Sequence, residues 1–198
     1  RKSFNLAFKQ SGLNWYWTKK EYKKLLNKSG GEDRISRYAK QKKIAVNAIK
    51  LRGLKTKIFN NYLNKKEIKL RPGVKNLLNH CIKNKIKLAF VSSTSLSNIN
   101  SIFYCLRSSI QKNYFDFVGN SKLVKKNKPN PDIYLLALKK LKLKPKECIA
   151  IEDSQKSLDA AVKAKIKCLI FPGQFHLNKK FLGAYKKVIR LSTKFMRK

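Results

Sequence analysis

Four amphipathic helical segments alternate with four short apolar runs in the second part of the chain. Their order is VKNLLNHCIKN, KLAFV, SNINSIFYCLR, FDFVG, PDIYLLALKKL, CIAI, SQKSLDAAVKA and KCLIF, and a last short strand is predicted at VIRL. Alternation at this rhythm is typical of βαβ crossovers, so it predicts an α/β protein built on a parallel sheet. Ligands of such sheets bind beyond the carboxyl ends of the strands. Functional residues are therefore expected where each apolar run ends.

The first part of the chain has a different character. SFNLAFKQ, TKKEYKKLLNK, EDRISRYAK and IAVNAIKLRGLKTKIFNNYLNK carry apolar residues at helical spacing, and a Gly-Gly pair interrupts them. The sequence Arg71-Pro72-Gly73 then marks a break between the two parts. We predict a helical domain over 1–72 and an α/β core over 73–198.

Composition narrows the class of protein. A chain of 198 residues with 42% hydrophobic content is long enough for one α/β core with a small accessory domain. No apolar run approaches the ~20 residues of a membrane span, so no membrane partner is expected. The four cysteines lack Cys-x-x-Cys spacing, and the histidines are His80 and His176, so no zinc site is expected. Buried free thiols favour a reducing compartment.

The charge of the chain invites a nucleic-acid hypothesis. The chain carries 48 basic and 10 acidic residues, a formal charge of +38, and basic residues supply most non-specific affinity for phosphates. Only eight of the basic residues are arginine, however, and proteins that recognise specific nucleotide bases rely mainly on arginine. Lysine, asparagine and isoleucine are all encoded by A/T-rich codons, and the lysines are spread along the chain. We therefore expect no specific nucleic-acid partner, although so basic a surface binds polyanions non-specifically.

Three of the apolar runs end in polar residues of distinct chemistry. KLAFV runs into Ser92, Ser93, Thr94 and Ser95, which indicate either an anion cradle or an ordinary helix N-cap. FDFVG leads to Lys128, which lies just before a helix predicted to start with Asn130 as N-cap and Pro131 as its first residue. CIAI ends at Glu152-Asp153, whose hard oxygen ligands suit Mg²⁺, although acids also favour a helix N-terminus.

The order of these groups resembles the haloacid dehalogenase (HAD) superfamily of phosphotransferases. Hydroxyls, then Lys-Pro-x-Pro-Asp, then Glu-Asp-Ser, each following a strand, are similar to its motifs II, III and IV. The resemblance implies a magnesium cofactor held by Glu152 and Asp153, with Asp153 as the direct ligand. It implies that Ser92 binds the transferred phosphoryl group and that Lys128 holds the charges of nucleophile and phosphate together. The helical first part matches the helical cap of the family.

Within the superfamily, the sequence is similar to CbbY-type sugar-bisphosphate phosphatases over most of 1–173. RKSFNLAF, GLNWYW, EYKKLLNKSGGEDRI, LRPGV, LAFVSSTSLSNI, KKNKPNPDIYLLAL and IAIEDS carry this likeness. The resemblance makes Tyr22, Gly30, Gly31 and Arg34 candidates for substrate contact, with Thr94, Ser95 and Arg71 as weaker candidates. Tyr22 is equally compatible with the core of the cap, and Arg34 with a solvated helix surface.

Two features depart from the family pattern. Ser157 and Lys165 stand where the family usually has glycine, and a left-handed backbone at Lys165 would cost about 1 kcal/mol. In addition, the first motif of the family, Asp-x-Asp-Gly-Thr, does not occur in these residues. That motif supplies the nucleophile and the acid/base. We expect that roughly 20 residues, comprising the first, central strand and a turn, precede Arg1 in the complete protein.

The expected activity is that of a magnesium-dependent phosphatase of small sugar bisphosphates, acting through an aspartyl-phosphate intermediate. Xylulose-1,5-bisphosphate is the substrate that the resemblance suggests. Phosphoglycolate phosphatase and β-phosphoglucomutase-like activities share the core motifs and stay open, as does an inactive polyanion-binding fragment or pseudoenzyme. A CbbY-like role in carbon fixation (the Calvin cycle), together with the A/T-rich coding argument, predicts a location in the plastid (chloroplast) stroma, or otherwise in the cytoplasm. We expect the complete protein to be a monomer.

Overall fold

A computed structural model describes residues 1–26, 30–64 and 68–196. The chain separates into two compact units, Arg1–Glu67 and Ile68–Lys198. The α/β class predicted from the sequence is confirmed. The ends of two predicted helices, at 27–28 and at 65, lie outside the described residues. No helix in the described part of the chain is long and apolar enough to cross a membrane.

Unit 1 consists of four helices. They are α1 (Lys2–Gln10), α2 (Lys19–Leu25), α3 (Gly31–Lys42) and α4 (Ala48–Asn64). Helix α1 buries Phe4, Ala7 and Phe8, which lie on one face because of their helical spacing. These side chains pack on Trp15, Trp17, Ile35, Ala39 and Leu51 to form the apolar core of the unit.

Local capping defines where two of these helices begin. At the start of α2, the Thr18 hydroxyl accepts a hydrogen bond from the Glu21 N–H, and the Glu21 carboxylate accepts one from the Thr18 N–H. Helix α3 begins after Gly30, whose φ of 91° lies in the region that only glycine adopts freely. A Cβ atom at Gly30 would lie 2.5 Å from a carboxylate oxygen of Asp33. The Gly-Gly pair thus gives α3 a sharp start.

Unit 2 contains the predicted alternation of helices and strands. Its elements are α5 (Val74–Lys83), β1 (Ala89–Val91), α6 (Leu96–Cys105), β2 (Phe117–Gly119), α7 (Asp132–Leu141), β3 (Ile149–Glu152), α8 (Gln155–Lys163), β4 (Lys167–Ile170) and β5 (Lys186–Lys187). The last strand ends before Val188, so the strand predicted at VIRL is wrong in position. Helix α7 begins at Asp132 with Pro131 at its N-cap, one residue later than predicted.

The strands of unit 2 form two sheets rather than one. Strand β1 pairs in parallel with β2, with Val91 opposite Gly119, and strands β3, β4 and β5 form a second parallel sheet in that order. Among the described residues no ladder joins β1 to β3. A continuous sheet is therefore not observed, and each of these two strands has one edge without a strand partner.

Contacts distant in sequence hold residues 71–73 against later segments of unit 2, at Phe171, Pro172 and Leu191. Both terminal nitrogens of the Arg71 guanidinium donate hydrogen bonds, one to the Phe171 carbonyl and one to the Pro172 carbonyl, each at 2.7 Å. Gly73 has a φ of 85°, and a Cβ atom there would lie 2.1 Å from the Leu191 carbonyl oxygen. Only glycine allows this approach of the C-terminal segment.

Candidate active site

The carboxyl ends of β1 and β3 carry the predicted hydroxyl and acidic residues. Ser92 follows Val91 directly, and Glu152 is the last residue of β3 with Asp153 next to it. Lys128 precedes α7 in the chain and reaches both strand ends. Its ammonium donates a hydrogen bond to the Val91 carbonyl at 3.1 Å and forms an ion pair with the Glu152 carboxylate. Ser92, Lys128, Glu152 and Asp153 are thus brought to one edge of unit 2.

Lys128 is almost fully shielded from solvent. Only 5% of its surface is exposed. Burying an ammonium is costly unless it is paired and hydrogen-bonded, and both conditions are met here. The Lys128 ammonium also lies 4.9 Å from the centre of the Tyr134 ring. This side chain therefore places a fixed positive charge between the ends of the two strands.

Tyr134 is a member of this cluster that the sequence reasoning missed. Its hydroxyl donates to Oε1 of Glu152, the oxygen that also accepts from Lys128. Burial, and then the nearby Glu152 carboxylate, raise the pKa of Tyr134, so the hydroxyl keeps its proton. The available signal was the position of Tyr134 in the first turn of the helix that follows Lys128.

The two adjacent acids have different surroundings. Both contacts of Glu152 use the same oxygen, and its side chain is 12% exposed. Asp153 is exposed, and no hydrogen bond or ion pair reaches its carboxylate from the described residues. Its backbone carbonyl faces Nδ1 of His176 at 3.3 Å. Asp153 is therefore the carboxylate of the pair that is available to a ligand.

The hydroxyl residues after β1 have separate local roles. The Ser92 hydroxyl accepts a hydrogen bond from the Thr94 N–H at 3.2 Å, which leaves its own proton available to donate. Ser95 is the N-cap of α6, and its hydroxyl accepts a hydrogen bond from the Asn98 N–H. At Ser95 the second interpretation of these hydroxyls, an ordinary helix N-cap, is therefore the one observed. The Thr94 hydroxyl accepts from the Asn98 amide. Ser93 is exposed at the same turn.

Arg71 differs from the other candidates of unit 2. Its guanidinium is held by the carbonyls of Phe171 and Pro172 and lies 3.4 Å from the centre of the Phe171 ring. Burial lowers the pKa of Arg71, and the negative charge of Asp153 opposes this shift only in part. The observed contacts give Arg71 a structural function, and its contact with substrate remains a prediction.

The candidates of unit 1 lie around the aromatic core of that unit. Arg34 is 7% exposed, its Nε donates to the Leu25 carbonyl at 3.1 Å, and its guanidinium lies over the rings of Phe4 and Tyr22. Burial lowers the pKa of Arg34 and raises that of Tyr22. Arg34 is therefore not the solvated helix residue of the alternative interpretation. Tyr22 packs against this core, which agrees with the alternative interpretation of Tyr22 as part of the core of the cap.

Lys55 on α4 is a second cation near Arg34 that the sequence reasoning missed. Its ammonium lies 5.2 Å from the centre of the Phe4 ring and 5.0 Å from that of Phe59. Burial, and then the charges of Arg52 and Arg34, lower the pKa of Lys55. Within the described ranges no carboxylate pairs with it. Nothing in the sequence distinguishes Lys55 from the many other lysines of the chain.

Residues 1–171 match the family described as haloacid dehalogenase-like hydrolases. The match covers most of the chain, so the protein belongs to this family, and the resemblance found in the sequence is confirmed. Its match to this family makes the protein a haloacid dehalogenase-like hydrolase.

Particular relatives narrow the likeness further. Protein CbbY of Cereibacter sphaeroides is 33% identical over 93% of this chain and 81% of that protein. A CBBY-like protein of Arabidopsis thaliana is 32% identical over 93% of this chain and 61% of its own length. A crystal structure of mutant CbbY from Rhodobacter sphaeroides in complex with xylulose-(1,5)bisphosphate has a TM-score of 0.87 and 32% identity, covering 96% of this chain and 85% of that one. A β-phosphoglucomutase from Clostridium difficile, at 21% identity and a TM-score of 0.75, supports the fold alone.

Proposed function

We propose that the chain forms the phosphate-binding and charge-compensating part of a magnesium-dependent phosphatase that acts on a small sugar bisphosphate. The observation that carries the proposal is the buried Lys128 ammonium between the Val91 carbonyl and the Glu152 carboxylate, next to Ser92 and Asp153. A hydroxyl donor, a fixed cation and a free carboxylate lie together at the carboxyl ends of β1 and β3. This arrangement suits phosphoryl transfer, because that chemistry depends on positioning and electrostatic stabilisation.

Each residue of the cluster has a distinct role in this proposal. Lys128 offsets the negative charge that gathers on the phosphoryl group and the nucleophile. Ser92 donates a hydrogen bond from its hydroxyl to a phosphoryl oxygen. Glu152 and Tyr134 act on Lys128 rather than on the substrate, because their contacts hold the ammonium in place.

Asp153 is the residue we propose as the direct ligand of Mg²⁺. Described residues form no group of three or more His, Cys, Asp or Glu side chains that could hold a metal. Mg²⁺ is commonly bound by only one or two carboxylates, with waters and substrate phosphate completing its shell, so an exposed aspartate fits it. Glu152 would contribute through the carboxylate oxygen that Lys128 and Tyr134 leave free. Bound there, the metal would supply further compensation of phosphate charge.

The nucleophile of the proposed reaction is an aspartate outside Arg1–Lys198. It would attack phosphorus in line to give an aspartyl-phosphate that water then hydrolyses, and a second aspartate would protonate the leaving sugar oxygen. Residues Arg1–Lys198 contribute the binding and stabilisation of the phosphoryl group to this reaction, through Ser92, Lys128 and Asp153.

The substrate class rests on a relative and on Arg34. A CbbY structure that is 32% identical to this chain was solved with xylulose-(1,5)bisphosphate. A bisphosphate has a second phosphate that is not transferred, and a guanidinium can bind such a group through two parallel hydrogen bonds. We propose that Arg34 binds it, with Tyr22 beside it and the backbone of Gly30 and Gly31 allowing close approach.

The experiment that tests this function begins with the coding sequence upstream of Arg1. An Asp-x-Asp-Gly-Thr motif there identifies the form to assay. Phosphate release is then measured with xylulose-1,5-bisphosphate, phosphoglycolate, β-glucose 1-phosphate and sugar monophosphates, with Mg²⁺ and with a chelator. The proposal requires that kcat/KM be highest for a sugar bisphosphate and that activity be lost with the chelator. Preference for phosphoglycolate would show that the protein is a phosphoglycolate phosphatase instead. Conversion of glucose 1-phosphate without phosphate release would show a β-phosphoglucomutase-like activity.

The proposed location is the plastid stroma. The lysine- and asparagine-rich composition and the likeness to a plant protein support it. Fractionation of organelles followed by detection with an antibody tests it directly.

A further inference from the structure

The sequence pattern Lys-x-Lys-x-Lys occurs at three junctions where a helix of unit 2 leads into a strand. The triplets are Lys83-Lys85-Lys87 before β1, Lys142-Lys144-Lys146 before β3 and Lys163-Lys165-Lys167 before and at the start of β4. Each helix in a βαβ crossover runs opposite to the strands, so its carboxyl end lies at the amino ends of the strands. All three triplets therefore face the edge of unit 2 opposite Ser92 and Glu152. We call them together the basic edge.

Contacts show that the three triplets adjoin one another. The Lys87 ammonium donates to the carbonyl of Leu141 at 2.8 Å, and Leu141 directly precedes the second triplet. Leu143, from the middle of the second triplet, packs in the same apolar cluster as Ala164 and Ile166 of the third. In the second and third triplets the intervening apolar residues therefore point inward, and the lysines of all three are exposed.

Few negative charges offset the basic edge. The helix-to-strand connections on this edge, 83–88, 106–116, 139–148 and 163–167, contain only two acids, Asp116 and Glu147. The Asp116 carboxylate accepts from the Leu88 N–H at 2.8 Å, and the Glu147 carboxylate from the Lys144 N–H at 2.6 Å. Lys112, Lys139 and Lys140 add further exposed cations. The like charges repel each other, so the edge is complementary to a polyanion that spans it.

We propose that the basic edge binds the phosphate backbone of a nucleic acid without regard to sequence. A pI of about 10.3 and cations clustered at one edge are the electrostatic footprint of such binding. Lysine acts as a point charge and arginine reads bases, so a surface of many lysines, with Arg107 as the one arginine in these connections, binds phosphates rather than sequence. Among the described residues of these connections no exposed Trp or Phe is present to insert into a lipid surface, which disfavours a membrane.

A matched pair of variants separates the basic edge from the net charge of the chain. The first variant replaces four exposed lysines in the last turns of α5, α7 and α8 with glutamine: Lys83, Lys139, Lys140 and Lys163. The control replaces four exposed lysines in the last turns of α2 and α3: Lys23, Lys24, Lys40 and Lys42. Both variants lose the same charge at equivalent helical positions, and neither touches the candidate active site.

Binding of a fluorescently labelled homopolymer RNA is measured by anisotropy over a range of salt concentrations. The edge variant should bind roughly tenfold more weakly near 0.1 M salt, and its plot of log K against log salt should be shallower by about 2 to 4, while the control keeps wild-type behaviour. Equal losses in both variants would overturn the proposal in favour of net charge. Absence of binding by the wild type at that salt would also overturn it.

Two further measurements do not depend on the folding of the variants. Labelling of lysines on the wild-type chain, with and without RNA, should protect the basic edge more than the four control lysines, and equal protection contradicts the proposal. Vesicles containing phosphatidylserine provide the comparison with a membrane. If the wild type binds these vesicles and not RNA, the surface recognises lipid headgroups and the proposal is wrong. In the form of the protein that carries the upstream motif, the edge substitutions should leave phosphatase activity unchanged, so this test is independent of the proposed catalytic function.

Discussion

Lys128 and Glu152 form an ion pair whose side chains are only 6% and 12% exposed. The residues lie 24 positions apart and connect the turn before α7 with the end of β3. Removing one member of a buried ion pair leaves the other charge buried without a partner, and this lowers the free energy of unfolding by about 3 to 5 kcal/mol. The pair therefore links the chemistry proposed for this edge to the stability of unit 2.

Substitution of the two adjacent acids should separate metal binding from stability. Asp153→Asn, in an active form of the protein, should lower magnesium-dependent turnover by about 100-fold with little change in stability, because its exposed carboxylate has no partner among the described residues. Glu152→Gln should reduce turnover less but lower the free energy of unfolding by about 3 kcal/mol. Magnesium titrations and urea unfolding measure both. Wild-type turnover of Asp153→Asn at saturating Mg²⁺ would refute the assignment.

Tyr134→Phe tests whether the Tyr134 hydroxyl supports the ion pair. The substitution removes one donor to Glu152 and keeps the ring, so we expect a loss of about 1 to 2 kcal/mol in the free energy of unfolding. Tyr104→Phe is the matched control, because the Tyr104 side chain is 51% exposed. Similar stabilities of the two variants in urea would show that the contact with Glu152 contributes nothing.

Arg34 should distinguish bisphosphates from monophosphates. Arg34→Ala should raise KM about tenfold more for a sugar bisphosphate than for a monophosphate, because a charge-assisted contact to the second phosphate is lost. Arg34 is buried, so thermal unfolding of the variant must be followed in parallel. Arg34→Lys is the companion variant, since it keeps the charge without the forked geometry. An identical change in KM for both substrates would make Arg34 purely structural.

Lys165 occupies a backbone position that glycine would suit better. Its φ is 61°, so the condition under which a non-glycine residue is costly at this position is met. Lys165→Gly should stabilise the protein by about 1 kcal/mol. Lys163→Gly, two residues earlier in the last turn of α8, should instead destabilise it by about 0.5 to 1 kcal/mol. The midpoints of thermal unfolding give both signs, and a loss of stability in Lys165→Gly would contradict the argument.

Residues 1–198 expressed alone should release no phosphate from sugar phosphates. They contain no Asp-x-Asp-Gly-Thr sequence, and in the described part of the chain β1 and β3 each have an edge without a strand partner. Such edges promote association, so we expect aggregation, or binding of a peptide that supplies a strand. Turnover assays and sedimentation test the two halves. Appreciable metal-dependent turnover, or a sharp unfolding transition of a monomer, would count against the corresponding half.

The sequence predicted the fold class and the order of helices and strands in unit 2, because apolar periodicity is a local property of the chain. It also predicted which residues follow the strands. It did not predict that Tyr134 and Lys128 share one oxygen of Glu152, because that geometry depends on how α7 packs on β3. Lys55 was missed for a different reason: its proximity to Arg34 joins α4 to α3 across unit 1. The strand predicted at VIRL was misplaced because a two-residue strand carries almost no periodic signal.

The close approach of Gly73 to Leu191 has a consequence for synthesis of the chain on the ribosome. The core contacts described for unit 1 lie within its own residues, so this unit can fold soon after it is made. Arg71 and Pro72, near the start of unit 2, find hydrogen-bond partners at Phe171, Pro172 and Leu191. These contacts cannot all form until residue 191 has been translated, and a premature stop near residue 190 would leave the start of unit 2 without its contact to Leu191.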